Sequence, residues 1–262
     1  MEYGVCLLSV VPLRAFPEHQ SEMVSQLLFG DLFTVIDKRK DWYQVKMHQD
    51  HYQGWVAANQ VQGLEESDFL AITANPGNVV AADLLQLLED KSRGSSFPIG
   101  AGCSLPFYEK GKLSVAGKVY EYAGKVIEQA VPVSEGISQI ALIFLNVPYL
   151  WGGRSAFGMD CSGFTQLVYK MAGLKIPRDS SIQATHGETI HLINEAQPGD
   201  LLFFDNQEEQ INHVGILLNE GHIIHCHGKV RVDMIDHQGI YNRELKKYTH
   251  PLRLIKRIHP AL

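Results

Sequence analysis

Hydrophobic and polar positions change their rhythm along the chain. Over residues 1–65 the apolar residues fall in short runs broken by corner residues. Gly30-Asp31 precedes Leu32-Phe33-Thr34-Val35-Ile36, Asp41-Trp42 precedes Tyr43-Gln44-Val45-Lys46, and Gln53-Gly54 leads into Trp55-Val56. Closely spaced runs with Gly or Asp at each corner predict the strands of a small β-barrel. The first apolar stretch, Val5 to Val11, has no basic residues before it and runs into Pro12 and Arg14 instead of a small-residue cleavage site. It reads as another strand and not as a secretory signal.

Residues 66–122 are expected to link this barrel to the C-terminal half of the chain. Val80 to Lys91 carries apolar residues at helical spacing, Ser92 to Ser96 is a Ser- and Gly-rich loop, and Phe97 to Tyr122 alternates enough to be strands. From residue 123 the pattern becomes helix, loop, helix and strands. Gly124 to Ala130 and Ser138 to Leu145 read as helical, and Pro148 to Gly153 as a loop. Phe164, Leu167, Val168 and Met171 follow the i, i+3, i+4, i+7 spacing of an amphipathic helix. Asp160 is its expected N-cap and Gly173 its stop. Leu201–Phe204, His213–Leu218, His222–His227 and Val230–Ile235 are strand candidates with short connections, which implies an antiparallel meander. The fold class expected for residues 123–262 is α+β.

Composition narrows the partners. The 262 residues are 45% hydrophobic and 20% charged, with a formal net charge of −6. A chain of this balance buries a sizeable core. It lacks the clustered Lys and Arg that nucleic acid requires, and no run reaches the roughly 20 apolar residues needed to cross a bilayer. No nucleic-acid or membrane partner is therefore expected. Four scattered cysteines, Cys6, Cys103, Cys161 and Cys226, read as free thiols in a reducing compartment. Together these features predict a cytoplasmic protein, and a monomer is expected.

Cys161 stands out because it comes directly after Asp160, in the first turn of the predicted helix. Unpaired N–H groups and the positive end of the helix dipole favour a thiolate there, and the same groups can hold a tetrahedral oxyanion. Gly158-Met159-Asp160 and Ser162-Gly163 flank the sulfur with mostly small or polar residues, unlike the walls of a packed structural cysteine. A nucleophile needs a base, and the base an orienter. Asn219-Glu220-Gly221 fits a three-residue hairpin loop with Gly221 in the left-handed position. In that register Leu218 pairs with His222 and Gly215 lies opposite His225. His213 is then a diagonal neighbour of His225 on one face, about 7–8 Å away and within side-chain reach. A two-residue loop would place the imidazoles on opposite faces. His222, His225, Cys226 and His227 crowd together, but His225 and Cys226 point to opposite faces and no zinc spacing is present. No metal and no cofactor is expected.

These residues carry two resemblances. Gly30-Asp31 … Asp41-Trp42-Tyr43-Gln44-Val45 … Tyr52-Gln53-Gly54-Trp55-Val56 resembles bacterial SH3 domains. Pro148-Tyr149-Leu150-Trp151-Gly152-Gly153 … Asp160-Cys161-Ser162-Gly163-Phe164 … Pro198-Gly199-Asp200-Leu201 … His213-Val214-Gly215-Ile216 … Ile224-His225 resembles the NlpC/P60 cysteine peptidases. They imply an SH3-like barrel over 1–65, a linking region over 66–122 that would also suit a degenerate second SH3-like domain, and a papain-like NlpC/P60 domain over 123–262. The second resemblance assigns Cys161 as nucleophile, His213 as base and His225 as the group orienting it.

The fuller pattern is similar to the γ-D-glutamyl-L-diamino-acid endopeptidases of the dipeptidyl-peptidase VI type. These cleave peptidoglycan stem peptides that carry a free N-terminal L-alanine. The matching pocket positions are Tyr149, Trp151, Asp160, Ser162, Arg178 and Ser180. Arg178, with the Ser162 and Ser180 hydroxyls, suits the free carboxylate of D-glutamate, and Asp160 the substrate ammonium. In that subgroup the SH3 domain adds a Glu and a Tyr, for which Glu22 and Tyr52 are the best matches, with Glu18 competing with Glu22. The expected function is hydrolysis of a small peptidoglycan-derived peptide during murein recycling, with diaminopimelate or lysine in third place. An exported wall hydrolase and a non-catalytic peptide-binding protein are the alternatives.

Overall fold

The computed structural model describes residues 2–75, 79–128, 133–206 and 208–259. The chain divides into two compact units. Unit 1 is Met1–Gln129 with Trp151–Ala156, and unit 2 is Ala130–Leu150 with Phe157–Leu262.

In unit 1, β1 (Tyr3–Val5), β2 (Val10–Arg14), β3 (Met23–Leu28), β4 (Leu32–Arg39), β5 (Trp42–Met47), β6 (Gln53–Ala57) and β7 (Gln62–Leu64) form one antiparallel sheet, ordered β3-β2-β6-β5-β4-β1-β7. The three runs read from the sequence lie in β4, β5 and β6. Their inward positions join Cys6, Val11, Leu13, Leu27, Phe33, Val45, Met47 and Val56 in one core, against which Tyr52 packs. At the corner before β4, Gly30 has φ +81°, and a Cβ there would lie 2.2 Å from the Ser104 carbonyl oxygen. Only glycine fits such a position.

After α1 (Glu66–Ala74) come β8 (Val80–Ala81), β9 (Leu85–Asp90), β10 (Ser95–Gly100), β11 (Lys112–Val115), β12 (Lys118–Tyr122) and β13 (Val126–Ile127). The order is β10-β9-β12-β11, with β8 paired to β13. Two helix expectations fail here. Val80 to Lys91 holds the strands β8 and β9 in place of a helix, and Asp90 closes the hairpin after β9: its Oδ1 accepts from the Ser92 and Arg93 N–H groups and the Ser92 hydroxyl, and Gly94 takes φ +63°. A short apolar run does not distinguish helix from strand, and the turn decides it. Gly124 to Ala130 contains β13, and its last two residues lie outside the described ones. The two-residue strand β14 (Arg154–Ser155) also belongs to unit 1.

Unit 2 holds α2 (Val133–Ile143), β15 (Gly158–Met159), α3 (Cys161–Met171), α4 (Ser180–Gln183), β16 (Glu188–Ile190), β17 (Leu201–Asp205), β18 (Ile211–Asn219), β19 (His222–His227), β20 (Lys229–Asp236), β21 (Gly239–Asn242) and β22 (Lys247–Arg257). The sheet order is β16-β22-β17-β18-β19-β20-β21, and β21 also pairs with β22. The six strands β17 to β22 thus close into a barrel, extending the expected four-strand meander. Leu202, Phe204, Leu217, Ile223, Ile235, Ile240 and Ile255 form one apolar cluster of this barrel. Helix α3 is capped as expected: Asp160 Oδ1 accepts from the Gly163 N–H at 2.7 Å. It is buried all round and not on one face only, so its polar Thr165 and Gln166 need interior partners. Thr165 donates to Gln183 Oε1 at 2.9 Å, and Gln166 to the Ile176 carbonyl at 3.2 Å.

Candidate active site

Cys161 opens α3, which packs on β18 and β19. Its thiol donates to the Asn212 carbonyl at 3.9 Å and receives the Val214 N–H, so the sulfur sits against the backbone on either side of His213. Burial, and then the Asp160 carboxylate, push this thiol up to about 12 against the pull of the Val214 N–H, Arg178 and the Ser162 N–H. The expectation of a resting thiolate is corrected accordingly. The helix start is present, but desolvation of a sulfur only 8% exposed outweighs it.

The hairpin delivers the two imidazoles by a route that differs in one detail from the sequence-based expectation. Asn219 pairs with His222, and the register shifts between Leu217 and Asn219, leaving Leu218 as the extra residue. The bulge restores the count, so Gly215 does lie opposite His225. His213 Nε2 comes to 2.9 Å from His225 Nδ1, and the rings are nearly perpendicular at 85°. At Gly215 a Cβ would meet the His225 Cβ at 2.9 Å, so glycine makes room beside the pair. Burial holds the His213 imidazole well below its ordinary value, helped by His225, His250 and His227. Burial also lowers His225, although Asp233 opposes it. Both rings are neutral at pH 7.

Beside the sulfur lies a polar cluster. Arg178 donates from Nη1 to Asp160 Oδ1 at 3.0 Å and to Ser162 Oγ at 2.8 Å, and from Nη2 to Asp160 Oδ2 at 2.6 Å. Asp160 is therefore cap and ion-pair partner at once, and the Arg178 fork is engaged with it. Ser162 Oγ donates in turn to Asp160 Oδ1 at 3.3 Å. Ser180 starts α4, where its carbonyl accepts from the Ala184 N–H at 3.0 Å. Tyr149 donates its N–H to the Gly228 carbonyl at 2.9 Å. Its phenol is pushed up to about 12 by burial, then by Cys161 and Asp160, and stays a neutral donor.

The remaining predicted residues belong to unit 1. Trp151 is 62% exposed and donates from Nε1 to Glu22 Oε1 at 2.6 Å. Glu18 makes turn contacts through its backbone. The stretch after Trp151 is anchored by Arg154, which is fully buried, pairs with Asp31 at 3.3 Å and donates its N–H to Gln26 Oε1 at 2.9 Å.

Residues 146–249 match the NlpC/P60 family, and residues 13–61 match the bacterial dipeptidyl-peptidase Sh3 domain. The chain thus carries an NlpC/P60 domain together with a bacterial SH3 domain. Among curated relatives, the γ-D-glutamyl-L-lysine dipeptidyl-peptidase of Bacillus cereus is 28% identical over 78% of this chain and 67% of its own length. The Bacillus subtilis protein of that name is 42% identical, over 44% of this chain and 42% of its own length. Dipeptidyl-peptidase 6 of Lysinibacillus sphaericus is 26% identical over 92% of this chain and 95% of its own. A crystal structure of an NlpC/P60 family protein from Bacillus cereus superposes with a TM-score of 0.84, covering 98% of this chain and all of that one at 22% identity, which establishes the fold.

In unit 2 four residues near the predicted set escaped sequence reasoning. His250, on β22, stacks on His213 with ring centroids 4.4 Å apart. Asp233 meets His225, and Arg231 meets Asp233. Gln183, fully buried, donates to the Ser162 and Pro177 carbonyls at 3.1 and 2.8 Å and so ties the start of α3 to the segment bearing Arg178. Asp233 had a signal: it lies two residues from Arg231 on a predicted strand beside that of His225, hence on the same face. His250 had none, since its strand was not foreseen.

Proposed function

We propose that the protein is a cysteine peptidase hydrolysing the bond between γ-D-glutamate and the adjoining L-diamino acid, lysine or diaminopimelate, in stem peptides with a free N-terminal L-alanine. The observation that carries this reading is the placing of the Cys161 sulfur against the backbone flanking His213, whose ring is held by His225 at 2.9 Å. The names of the Bacillus relatives support the substrate class.

On this reading the thiol, neutral at rest, gives its proton to His213 as the sulfur attacks the γ-carbonyl carbon. First-turn N–H groups of α3 receive the oxyanion. His213 then protonates the departing amine, leaving a thioester. A water activated by His213 attacks the thioester and releases L-alanyl-D-glutamate and the thiol. His225 orients His213 throughout.

Substrate recognition is assigned to the residues of the resemblance. Ser162, Ser180 and Arg178 face the D-glutamate carboxylate, Asp160 the ammonium, and Tyr149 and Trp151 the peptide. Because Arg178 already balances Asp160, the ammonium requires further negative charge. By the resemblance alone, Glu22 and Tyr52 are the residues proposed for that role.

A required free amine restricts the enzyme to peptides already released from glycan, which supports murein-peptide recycling in the cytoplasm. The test is incubation with L-Ala-γ-D-Glu-L-Lys and its diaminopimelate counterpart, each with and without N-acetylation, beside intact sacculi. Cleavage of free peptides at the γ-glutamyl bond, lost on acetylation, is expected. Sacculi cut as readily as free peptide would rule out the recycling role, and acetylated peptide cut at the same rate would rule out amine recognition. Cell fractionation tests the compartment.

A further inference from the structure

The two imidazoles do not stand alone. His225 Nε2 lies 3.0 Å from Asp233 Oδ2, with both side chains buried. Asp233 is held in turn by Arg231, whose Nε donates to Oδ2 at 2.7 Å and whose Nη2 donates to Oδ1 at 2.9 Å. An ionised carboxylate only accepts hydrogen bonds. Between Asp233 and His225 the proton must therefore sit on His225 Nε2. A neutral imidazole carries one N–H, so His225 Nδ1 is left as an acceptor. The atom facing it at 2.9 Å is His213 Nε2, which must supply the proton of that contact. A neutral His213 with its proton on Nε2 has a bare lone pair on Nδ1 and on no other atom.

We infer that Asp233, acting through His225, is a positioning residue that fixes the tautomer of His213 and makes Nδ1 its proton-accepting nitrogen. The inference rests on the proposed roles of Cys161 and His213. It goes beyond them in naming which nitrogen takes the thiol proton and which residue decides it. Were His225 protonated on Nδ1 instead, it would donate to His213 Nε2, force the His213 proton onto Nδ1 and leave the thiol no acceptor. Arg231 enforces the arrangement in two ways. It keeps Asp233 ionised, with the carboxyl below its ordinary range because hydrogen bonds from His225 and Arg231 outweigh burial. It also occupies Oδ1 and one side of Oδ2, so the carboxylate cannot turn away from His225.

The direct test needs no variant. Long-range proton–nitrogen correlation of the histidine side chains in the wild-type protein at pH 7 is expected to show His213 and His225 both protonated on Nε2 and bare on Nδ1. A proton on Nδ1 of His225 in the wild type would overturn the inference. Asp233→Asn is nearly isosteric, but both of its carboxamide positions face Arg231 donors, so the amide cannot satisfy Arg231 and His225 together. It is expected to shift the His225 proton toward Nδ1 and to lower kcat for L-Ala-γ-D-Glu-L-Lys about 10–100-fold or more, with KM little changed. Arg231→Gln is expected to give a smaller loss of kcat in the same direction. Wild-type kcat and unchanged tautomers in Asp233→Asn would also overturn it. A wild-type protein that shows the expected tautomers but leaves the peptide uncut would instead remove the proposed reaction, so the two failures are distinguishable.

Discussion

The Arg178 guanidinium grips the Asp160 carboxylate by both oxygens, at 3.0 and 2.6 Å, with the two side chains 2% and 9% exposed. Such a pair is expensive to break from one side. Arg178→Met strands a buried carboxylate, at an expected cost of about 3–5 kcal/mol in unfolding free energy. The double variant Asp160→Asn, Arg178→Met should recover much of that loss. Urea denaturation of the wild type, single and double variants checks it. A double variant no more stable than Arg178→Met would show that the uncompensated charge is not the cause.

Cys161 is 8% exposed, whereas Cys6, Cys103 and Cys226 are at 0%. Brief iodoacetamide treatment of the folded protein, with peptide mass spectrometry as the readout, should therefore mark Cys161 first. Cys161→Ala should lose the fast phase and keep the slow one. Equal labelling of the four thiols would contradict both its access and its proposed role.

Acid should weaken the fold before most carboxylates titrate. Burial lowers His213 and His225 from 6.5 and takes His250 to about 4. The unfolded chain then binds more protons than the folded one between the folded values and 6.5, so stability rises with pH across that window. It is complete above about pH 6.5 and is lost as pH falls toward 4. The urea midpoint is expected to drop between pH 7 and pH 5, and to drop less in His250→Phe, which keeps an aromatic face against His213. A midpoint constant over that range would refute the argument.

Gly152 has φ +72°, and a Cβ there would lie 2.0 Å from the Met23 carbonyl oxygen, a backbone atom that cannot swing away. Gly152→Ala is expected to cost about 1–2 kcal/mol from the left-handed backbone alone, and more from the clash. Thermal unfolding provides the measurement, and a wild-type melting temperature would count against the close approach.

Much of the fold and of the candidate site was legible because short-range chemistry encodes it. Asp160 before an apolar helical stripe fixed the start of α3, and the pairing of Gly215 with His225 was legible, although it is reached through the extra residue Leu218 and not through the expected three-residue loop. The missed elements depend on distant partners. Val80 to Lys91 carries a helical spacing that the Asp90 turn overrides. Strand β22 was invisible because Lys247–Arg257 includes Pro251 and several charges, with only Ile255 fully inside. His250 was lost with it. The acidity of Cys161 was misjudged for a related reason: the helix start is local, but the burial that opposes it comes from the whole domain.

The six residues from Trp151 to Ala156 belong to unit 1 while the chain on both sides belongs to unit 2. No single cut of the polypeptide therefore separates the two. A fragment begun at residue 130 would carry the Arg154 guanidinium with its Asp31 counter-ion and its Gln26 and Gln49 neighbours deleted. The hydrophilic wedge that ties this stretch down would then become a loose cationic arm. The SH3-like part is thus an integral support for the strand of chain that bears Trp151, and shortening the gene to its peptidase portion would remove that support.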